Sequence, residues 1–327
     1  MAGRIPDFFI VGHAKSGTTA LYELLGQHPG LFLPEYKKGA GKEPWYFARE
    51  HPHPQTNGER NIAYTGRTVQ TLEDYLSLFA DAREDQLVGE ASTSYIWSRT
   101  AAQRIAQARP DAKIVALFRE PASFLRSLHL QLLQNHHEVE RDFRKAVELD
   151  AARRENREIP PQSYWPQALI YTDRVQYVTQ LERYKAVFGD EQILVLIYDD
   201  WRADNLATAR RVLRFLGVDD ELELRTADVN PTVGVRSVRV DDFRRSLRAG
   251  RSPVLRAVRD AGKSVTTLGM RKRLYYPLVR RAVFGAPPPP DERFNRELRR
   301  RFKGEVAALS EYLGRDLVSL WGYDRLD

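Results

Sequence analysis

The segment Pro6-Asp7-Phe8-Phe9-Ile10-Val11-Gly12-His13-Ala14-Lys15-Ser16-Gly17-Thr18-Thr19-Ala20-Leu21 constrains the fold more than any other stretch of the chain. An apolar, partly β-branched run gives way to a loop with glycines at 12 and 17, then to hydroxyl residues opening a helical pattern. This reads as a buried strand, a tight turn and a helix N-terminus, an arrangement whose backbone N–H groups hold a phosphate. The Gly12-x-x-x-x-Gly17 spacing is that of a nucleotide phosphate loop, but Thr18 stands where the lysine of a Mg·ATP loop belongs. The loop's own lysine, Lys15, sits two residues before the second glycine. The segment therefore predicts a phosphate cradle built for something other than Mg·ATP.

Three further apolar runs, Leu87–Val88, Lys113–Phe118 and Ile193–Tyr198, join Phe8–Val11 as predicted parallel strands. Helical patterns fall between them over Thr18–Leu25, Ser98–Ala108 and Ala122–Gln134. Residues Tyr171, Val175, Val178, Leu181, Tyr184 and Phe188 recur at helical spacing before the last strand. The alternation predicts an α/β chain with a P-loop-containing three-layer fold, a central parallel sheet flanked by helices. Ligands in such sheets sit at the carboxyl ends of the strands. We expect one domain over 1–327, with the α/β core in 5–230, a basic helical insertion or lid in 231–290, and a C-terminal helix and tail in 291–327. Residues 34–66 read as a long loop over the site, and 135–167 as a charged stretch with helical pieces. The run Ala286-Pro287-Pro288-Pro289-Pro290 breaks the chain before a final helix over Glu292–Leu313, which Gly314 stops.

The chain has no cysteine, which excludes disulfides, thiolate metal sites and a cysteine nucleophile. With the first strand expected within a few residues of the start, we expect no basic-then-apolar signal peptide, and no apolar run approaches the ~20 residues of a membrane span. The expectation is a soluble cytoplasmic protein. The net charge of +7 is unevenly placed: residues 231–290 hold 14 Lys/Arg against 3 Asp/Glu, leaving 37 basic and 41 acidic residues elsewhere. The basicity belongs to one segment rather than to the fold, so it does not make the chain a nucleic-acid binder.

A second motif lies in Lys113-Ile-Val-Ala-Leu-Phe118-Arg119-Glu120-Pro121-Ala122-Ser123-Phe124-Leu125-Arg126-Ser127. An arginine at a strand end, followed by Pro at a helix start, points its guanidinium over the carboxyl edge of the sheet. Ser127 follows about two helical turns later, and the two would converge on a second phosphate. The simpler alternative pairs Arg119 with Glu120 or a neighbour.

With both motifs present, the chain resembles the sulfotransferases that use 3′-phosphoadenosine 5′-phosphosulfate (PAPS). Lys15-Ser16-Gly17-Thr18-Thr19 is similar to that family's 5′-phosphosulfate loop, and Arg119 with Ser127 to its 3′-phosphate pair. The resemblance covers most of 5–217 and resumes at Leu313-Gly314-Arg315-Asp316-Leu317 and Trp321. It is nearer the bacterial and heparan-sulfate-type branch than the cytosolic small-phenol branch. There, Lys42-Glu43-Pro44-Trp45-Tyr46-Phe47 resembles the motif bearing the general base, and Gly89-Glu90-Ala91-Ser92-Thr93-Ser94-Tyr95 the segment lining the acceptor cleft. Ser127-Leu-His-Leu-Gln131 with Asn135-His136 resembles the helix running toward the acceptor. The chain departs from that branch at Ala91, where a lysine is common.

The resemblance implies in-line transfer of a sulfuryl group to a hydroxyl, and less readily an amine, of a carbohydrate, lipid or secondary-metabolite acceptor, with no metal required. Lys15 and Glu43 are the implied catalytic pair, with Trp45, Tyr46 and Phe47 expected to desolvate Glu43 and strengthen it as a base. Lys15, Ser16, Gly17, Thr18, Thr19, Arg119 and Ser127 would hold the donor, with Arg236 and Arg239 as further candidates. Lys42, Glu90, Tyr95, Gln131 and His136 would face the acceptor. Each has a plainer alternative: Glu43 and Lys42 as a surface pair, Glu90 as a structural carboxylate, His136 and His137 on a solvated face, Asn230 capping a turn. Residues 236–285 form a candidate cationic surface for an anionic membrane or acceptor, or an ordinary helix pair. Oligomeric state has no signature in the sequence.

Two rival readings remain. A P-loop kinase or NTPase would use Gly12–Thr19 for phosphates and Asp199 or Asp200 for Mg²⁺. A non-catalytic protein would dock its basic segment on an anionic surface, leaving the paired phosphate motifs unexplained.

Overall fold

The computed structural model describes residues 3–35, 41–48, 69, 71–135, 137–161, 163, 166–225, 234–235 and 284–326. Five parallel strands form the central sheet in the order β2-β3-β1-β4-β5, with β1 Phe8–Ile10, β2 Leu31–Phe32, β3 Leu87–Glu90, β4 Lys113–Phe118 and β5 Ile193–Ile197. Phe8 pairs with Gly89 on one side and Lys113 on the other, so β1 and its following loop occupy the middle of the sheet. Both faces of the strands are covered, which is why β1 and β4 read as continuous apolar runs rather than alternating ones.

Helices pack on both sides. One apolar layer collects Phe9, Phe118, Phe124, Leu128, Leu181 and Phe302; the other collects Phe8, Ile10, Leu21, Val115, Val212 and Leu213. The predicted three-layer arrangement is the one observed, with β2 as an additional edge strand. The helical run predicted across Tyr171–Phe188 divides in two. A 3-10 turn spans Thr172–Val175, and Gln176 (ψ 64°) breaks the chain before the α-helix Tyr177–Lys185. Tyr198, predicted as strand, opens the short helix Tyr198–Ala203.

The final helix covers Glu292–Leu313 and is ended by Gly314, as predicted, and the Asp291 side chain caps its start. Beyond it the tail clamps the turn after β4 and the short helix after β5. Tyr323 Oη donates to Glu120 (2.7 Å), Trp321 Nε1 to Asp199 (2.8 Å) and Arg315 Nη2 to Asp200 (2.7 Å). A two-residue antiparallel ladder joins Gly234–Val235 to Phe284–Gly285, so the chain leaves and returns at one place. Arg236, Arg239 and all but the end of the basic stretch 236–285 lie outside the described residues, as do Asn230, His136 and most of the predicted loop 34–66. Among the described residues, no helix is long and apolar enough to cross a membrane.

Candidate functional site

The loop after β1 stays pinned to the sheet before it turns. Val11 N–H donates to Val115 O (2.9 Å) and His13 N–H to Leu117 O (3.0 Å). Glycine is required at 12 because a Cβ there would lie 2.5 Å from Leu117 Cβ and 2.6 Å from its backbone nitrogen. Lys15 (φ 65°) and Gly17 (φ 91°) both take left-handed conformations, which curl the backbone into a concave turn. The helix Thr18–Leu25 follows with no side-chain cap at its N-terminus, leaving its first N–H groups open toward that turn.

Two cations meet there. Arg119 Nη1 donates to Lys15 O (2.9 Å), its Nε donates to Ser123 Oγ (3.1 Å), and its guanidinium lies 4.6 Å from the Tyr198 ring centre. The Lys15 ammonium has no hydrogen bond or ion pair among the described residues, and burial together with nearby Arg119 lowers its pKa. Burial likewise lowers the pKa of Arg119. Arg119 does not pair with Glu120 in the way the simpler alternative supposed. The Glu120 carboxylate instead caps the helix Pro121–Gln134 by accepting from Ala122 N (3.1 Å) and Ser123 N (2.7 Å). Ser16 Oγ and His13 Nδ1 are buried without a partner.

Arg119 also lines a cleft of about 260 Å³ with Ser123, Ser127, Arg126, Asn295 and Arg299. The structure thus brings the predicted pair Arg119 and Ser127 to one cavity, and the Arg119 bond to Lys15 O ties its wall to the loop. Ser123 was missed, although its place one turn before Ser127 on the same helix was a readable signal. Arg126 was equally near in sequence. Asn295 and Arg299 arrive from the distant final helix, and no local pattern could have announced them.

The second half of the site is built on Lys42 and Glu43. Lys42 is not a solvent-facing lysine: it is 1% exposed, and its Nζ donates to Glu43 Oε1 (2.9 Å) and Thr18 Oγ1 (3.4 Å). It therefore ties the predicted base to the first turn of the helix that follows the phosphate loop. Glu43 Oε2 accepts from Trp45 Nε1 (3.1 Å) and Thr93 Oγ1 (3.1 Å), while the side chain keeps 25% of its surface exposed. Of the expected aromatic collar, Trp45 meets Glu43 through its indole N–H, while Tyr46 and Phe47 pack elsewhere. Trp45 (φ 55°) turns the chain so that Tyr46 stacks on Tyr75 at 4.5 Å and Phe47 packs edge-on against Tyr75 and Tyr95. Polar contacts from Lys42, Trp45 and Thr93 hold Glu43.

Glu90 and Tyr95, predicted to face the acceptor, lie beneath the site. Glu90 is fully buried and accepts from Tyr75 Oη (2.7 Å), Tyr95 Oη (2.9 Å) and Ser92 Oγ (2.5 Å). Burial pushes its pKa up to about 7. Ser92 Oγ in turn accepts from Trp45 N–H (3.0 Å), so Glu90 steadies the turn that carries Trp45 to Glu43. Neither has exposed surface to offer a substrate. Gln131 is half-buried with its Oε1 lacking a partner. Asp199 and Asp200, needed for Mg²⁺ by the kinase reading, are both engaged by the tail through Trp321 and Arg315.

The chain matches known proteins over the same elements. The family model described as "Sulfotransferase family" matches residues 6–221. The mouse (Mus musculus) carbohydrate sulfotransferase 15 is 26% identical over 284 residues, covering 73% of this chain and 48% of that protein. The human (Homo sapiens) heparan sulfate glucosamine 3-O-sulfotransferase 6 is 32% identical over 130 residues, covering 40% of this chain and 31% of that protein. The chain therefore spans about half or less of the length of these curated relatives. A crystal structure of a sulfotransferase from Alicyclobacillus acidocaldarius superposes with a TM-score of 0.65 at 26% identity, covering 97% of this chain and 98% of that one.

Proposed function

The chain belongs to the sulfotransferase family, and from that premise we propose that it moves a sulfuryl group from PAPS to a hydroxyl of a carbohydrate, lipid or secondary-metabolite acceptor. The observation that carries the reading is the bond from Arg119 to the Lys15 carbonyl, which joins the phosphate loop to the Arg119–Ser127 cleft. A donor with phosphates at its 5′ and 3′ positions needs two such places side by side. The residues fit it: Lys15 and Arg119 gather positive charge, and Ser16 Oγ is a buried hydroxyl without a partner. When bound, PAPS supplies the sulfuryl group and departs as 3′-phosphoadenosine 5′-phosphate (PAP).

The chain's own residues do the rest. Lys15, in the loop, would stabilise charge gathering on the leaving 5′-phosphate. The loop N–H groups, Thr18 and Thr19 would hold that phosphate, and Arg119 with Ser127 the other. Glu43 would take the proton of the acceptor hydroxyl. Lys42 keeps Glu43 directed at the loop, and Trp45 and Thr93 fix its second oxygen. Orientation of this kind makes the proton transfer simultaneous with sulfuryl departure rather than a separate, costly ionisation.

The test is sulfuryl transfer from ³⁵S-labelled PAPS into an acceptor panel by Glu43→Gln and Lys15→Ala. We expect Glu43→Gln to lose at least about 10²-fold in kcat while retaining PAP affinity. Lys15→Ala should lose both. Wild-type turnover in either variant refutes the role assigned to that residue.

A further inference from the structure

The last residues of the chain reach back to the donor site. Tyr323 is fully buried, and its Oη donates to Glu120 Oε1 (2.7 Å) across 203 residues of sequence. A two-bond cap sets it there. The short helix Leu317–Leu320 ends at Gly322 (φ 71°), where Gly322 N–H donates to Ser319 O (3.1 Å) and Tyr323 N–H to Val318 O (2.8 Å). Trp321, in the same turn, donates from Nε1 to Asp199 (2.8 Å). Asp199 follows Tyr198, whose ring lies under the Arg119 guanidinium, and Glu120 follows Arg119 itself. One capped turn thus holds the neighbours of Arg119 and of the ring beneath it. Arg315 and Asp200 make the tail's ion pair, but both are over a third exposed and solvent screens them.

Glutamate is a poor residue to start a helix. Its side chain is longer and freer than the Asp, Asn, Ser or Thr that cap well, so its carboxylate needs an outside hold to stay on the backbone N–H groups. Tyr323 Oη supplies that hold, with Arg299 Nε 3.5 Å from the same carboxylate oxygen. Burial and the Glu120 charge push the Tyr323 pKa up, so the hydroxyl remains a donor. Held this way, Glu120 accepts from Ser123 N–H (2.7 Å). Ser123 Oγ, anchored on Glu120 O (3.0 Å), accepts in turn from Arg119 Nε (3.1 Å). A line of hydrogen bonds therefore runs from the tail to the guanidinium. We propose that Tyr323 is a positioning residue: its hydroxyl fixes the Glu120 carboxylate and through it Arg119, so that the C-terminal tail sets how strongly the donor's 3′-phosphate is held.

This role rests on the proposed donor, and isothermal titration with PAP and with adenosine 5′-phosphate separates the two. The readout is the ratio of the two affinities, which changes with the hold on the 3′-phosphate; a general loosening of the fold lowers both affinities together. Tyr323→Phe keeps the ring and loses only the hydroxyl. We expect it to narrow the preference for PAP about tenfold while the affinity for adenosine 5′-phosphate stays within about twofold of the wild type. Asp200→Asn, which loosens the same tail at its exposed pair, should keep the full preference. An unchanged ratio in Tyr323→Phe, or an equal loss in Asp200→Asn, overturns the proposal. Should Tyr323→Phe fail to fold, Glu120→Asp still caps the helix but draws the carboxylate away from Tyr323, and an unchanged ratio there overturns it as well. A wild type without preference for PAP sinks the donor reading and this role with it. A wild type that prefers PAP, beside an unaltered preference in Tyr323→Phe, sinks the role alone.

Discussion

Replacing Glu90 by Gln should change how stability depends on pH while leaving the fold in place. Glutamine can accept from Tyr75 and Tyr95 through its carbonyl and donate to Ser92 Oγ, so the buried cluster keeps its bonds. The buried carboxyl has its pKa raised from 4.5 to about 7. The folded state therefore holds this proton more tightly than the unfolded chain does. The stability it contributes is complete below the unfolded value and is lost as pH climbs through about 7. With each unit worth about 1.36 kcal/mol, the wild type should lose roughly 2–3 kcal/mol from this group between pH 5 and pH 8. Urea unfolding of both proteins at the two pH values isolates the effect, because other titrating groups are shared. The variant should gain on the wild type by that amount. A constant gap between the two proteins would show that Glu90 ionises as freely as in water and refute the argument from burial.

Gly12→Ala should cost about 1–3 kcal/mol, read as a lowered Tm, because the new methyl meets Leu117 on β4 at 2.5 Å and the sheet must part there. A neutral substitution would mean that β1 and β4 yield easily. Asp200→Asn breaks a half-exposed pair with Arg315, so solvent screening limits the loss to about 1 kcal/mol or less. It should leave PAP affinity unchanged, and a metal-dependent collapse of nucleotide binding in that variant would bring back the kinase reading.

Much of this architecture was legible because local pattern and global fold agree. The run Phe8–Ile10 is apolar at every position since the strand is buried on both faces, and Gly12 and Gly17 mark the places where backbone crowding and handedness leave no alternative. Asp291 and Gly314 bound the final helix by capping, a local effect that sequence carries directly. The strand Leu31–Phe32 was missed because it is a short run set between Pro29-Gly30 and Pro34, which read as loop. That Tyr46 and Phe47 pack away from Glu43 is something no pattern reveals: the left-handed Trp45 sends them toward Tyr75. Lys42 has the composition of a surface lysine and became buried through Glu43 and Thr18. Asn295 and Arg299 acquire their meaning from tertiary neighbours, and their own flanking residues say nothing of it.

The central claim is a donor with phosphates at both ends of the Arg119 bridge. The most direct measurement is thermal stabilisation by PAP without metal, beside adenosine 5′-phosphate and beside Mg²⁺ with a non-hydrolysable ATP analogue. PAP at a hundred times its Kd should add about 2.7 kcal/mol of stability, with Arg119→Ala abolishing its advantage over adenosine 5′-phosphate. Stabilisation by the Mg·ATP analogue alone, with PAP silent, would contradict the account.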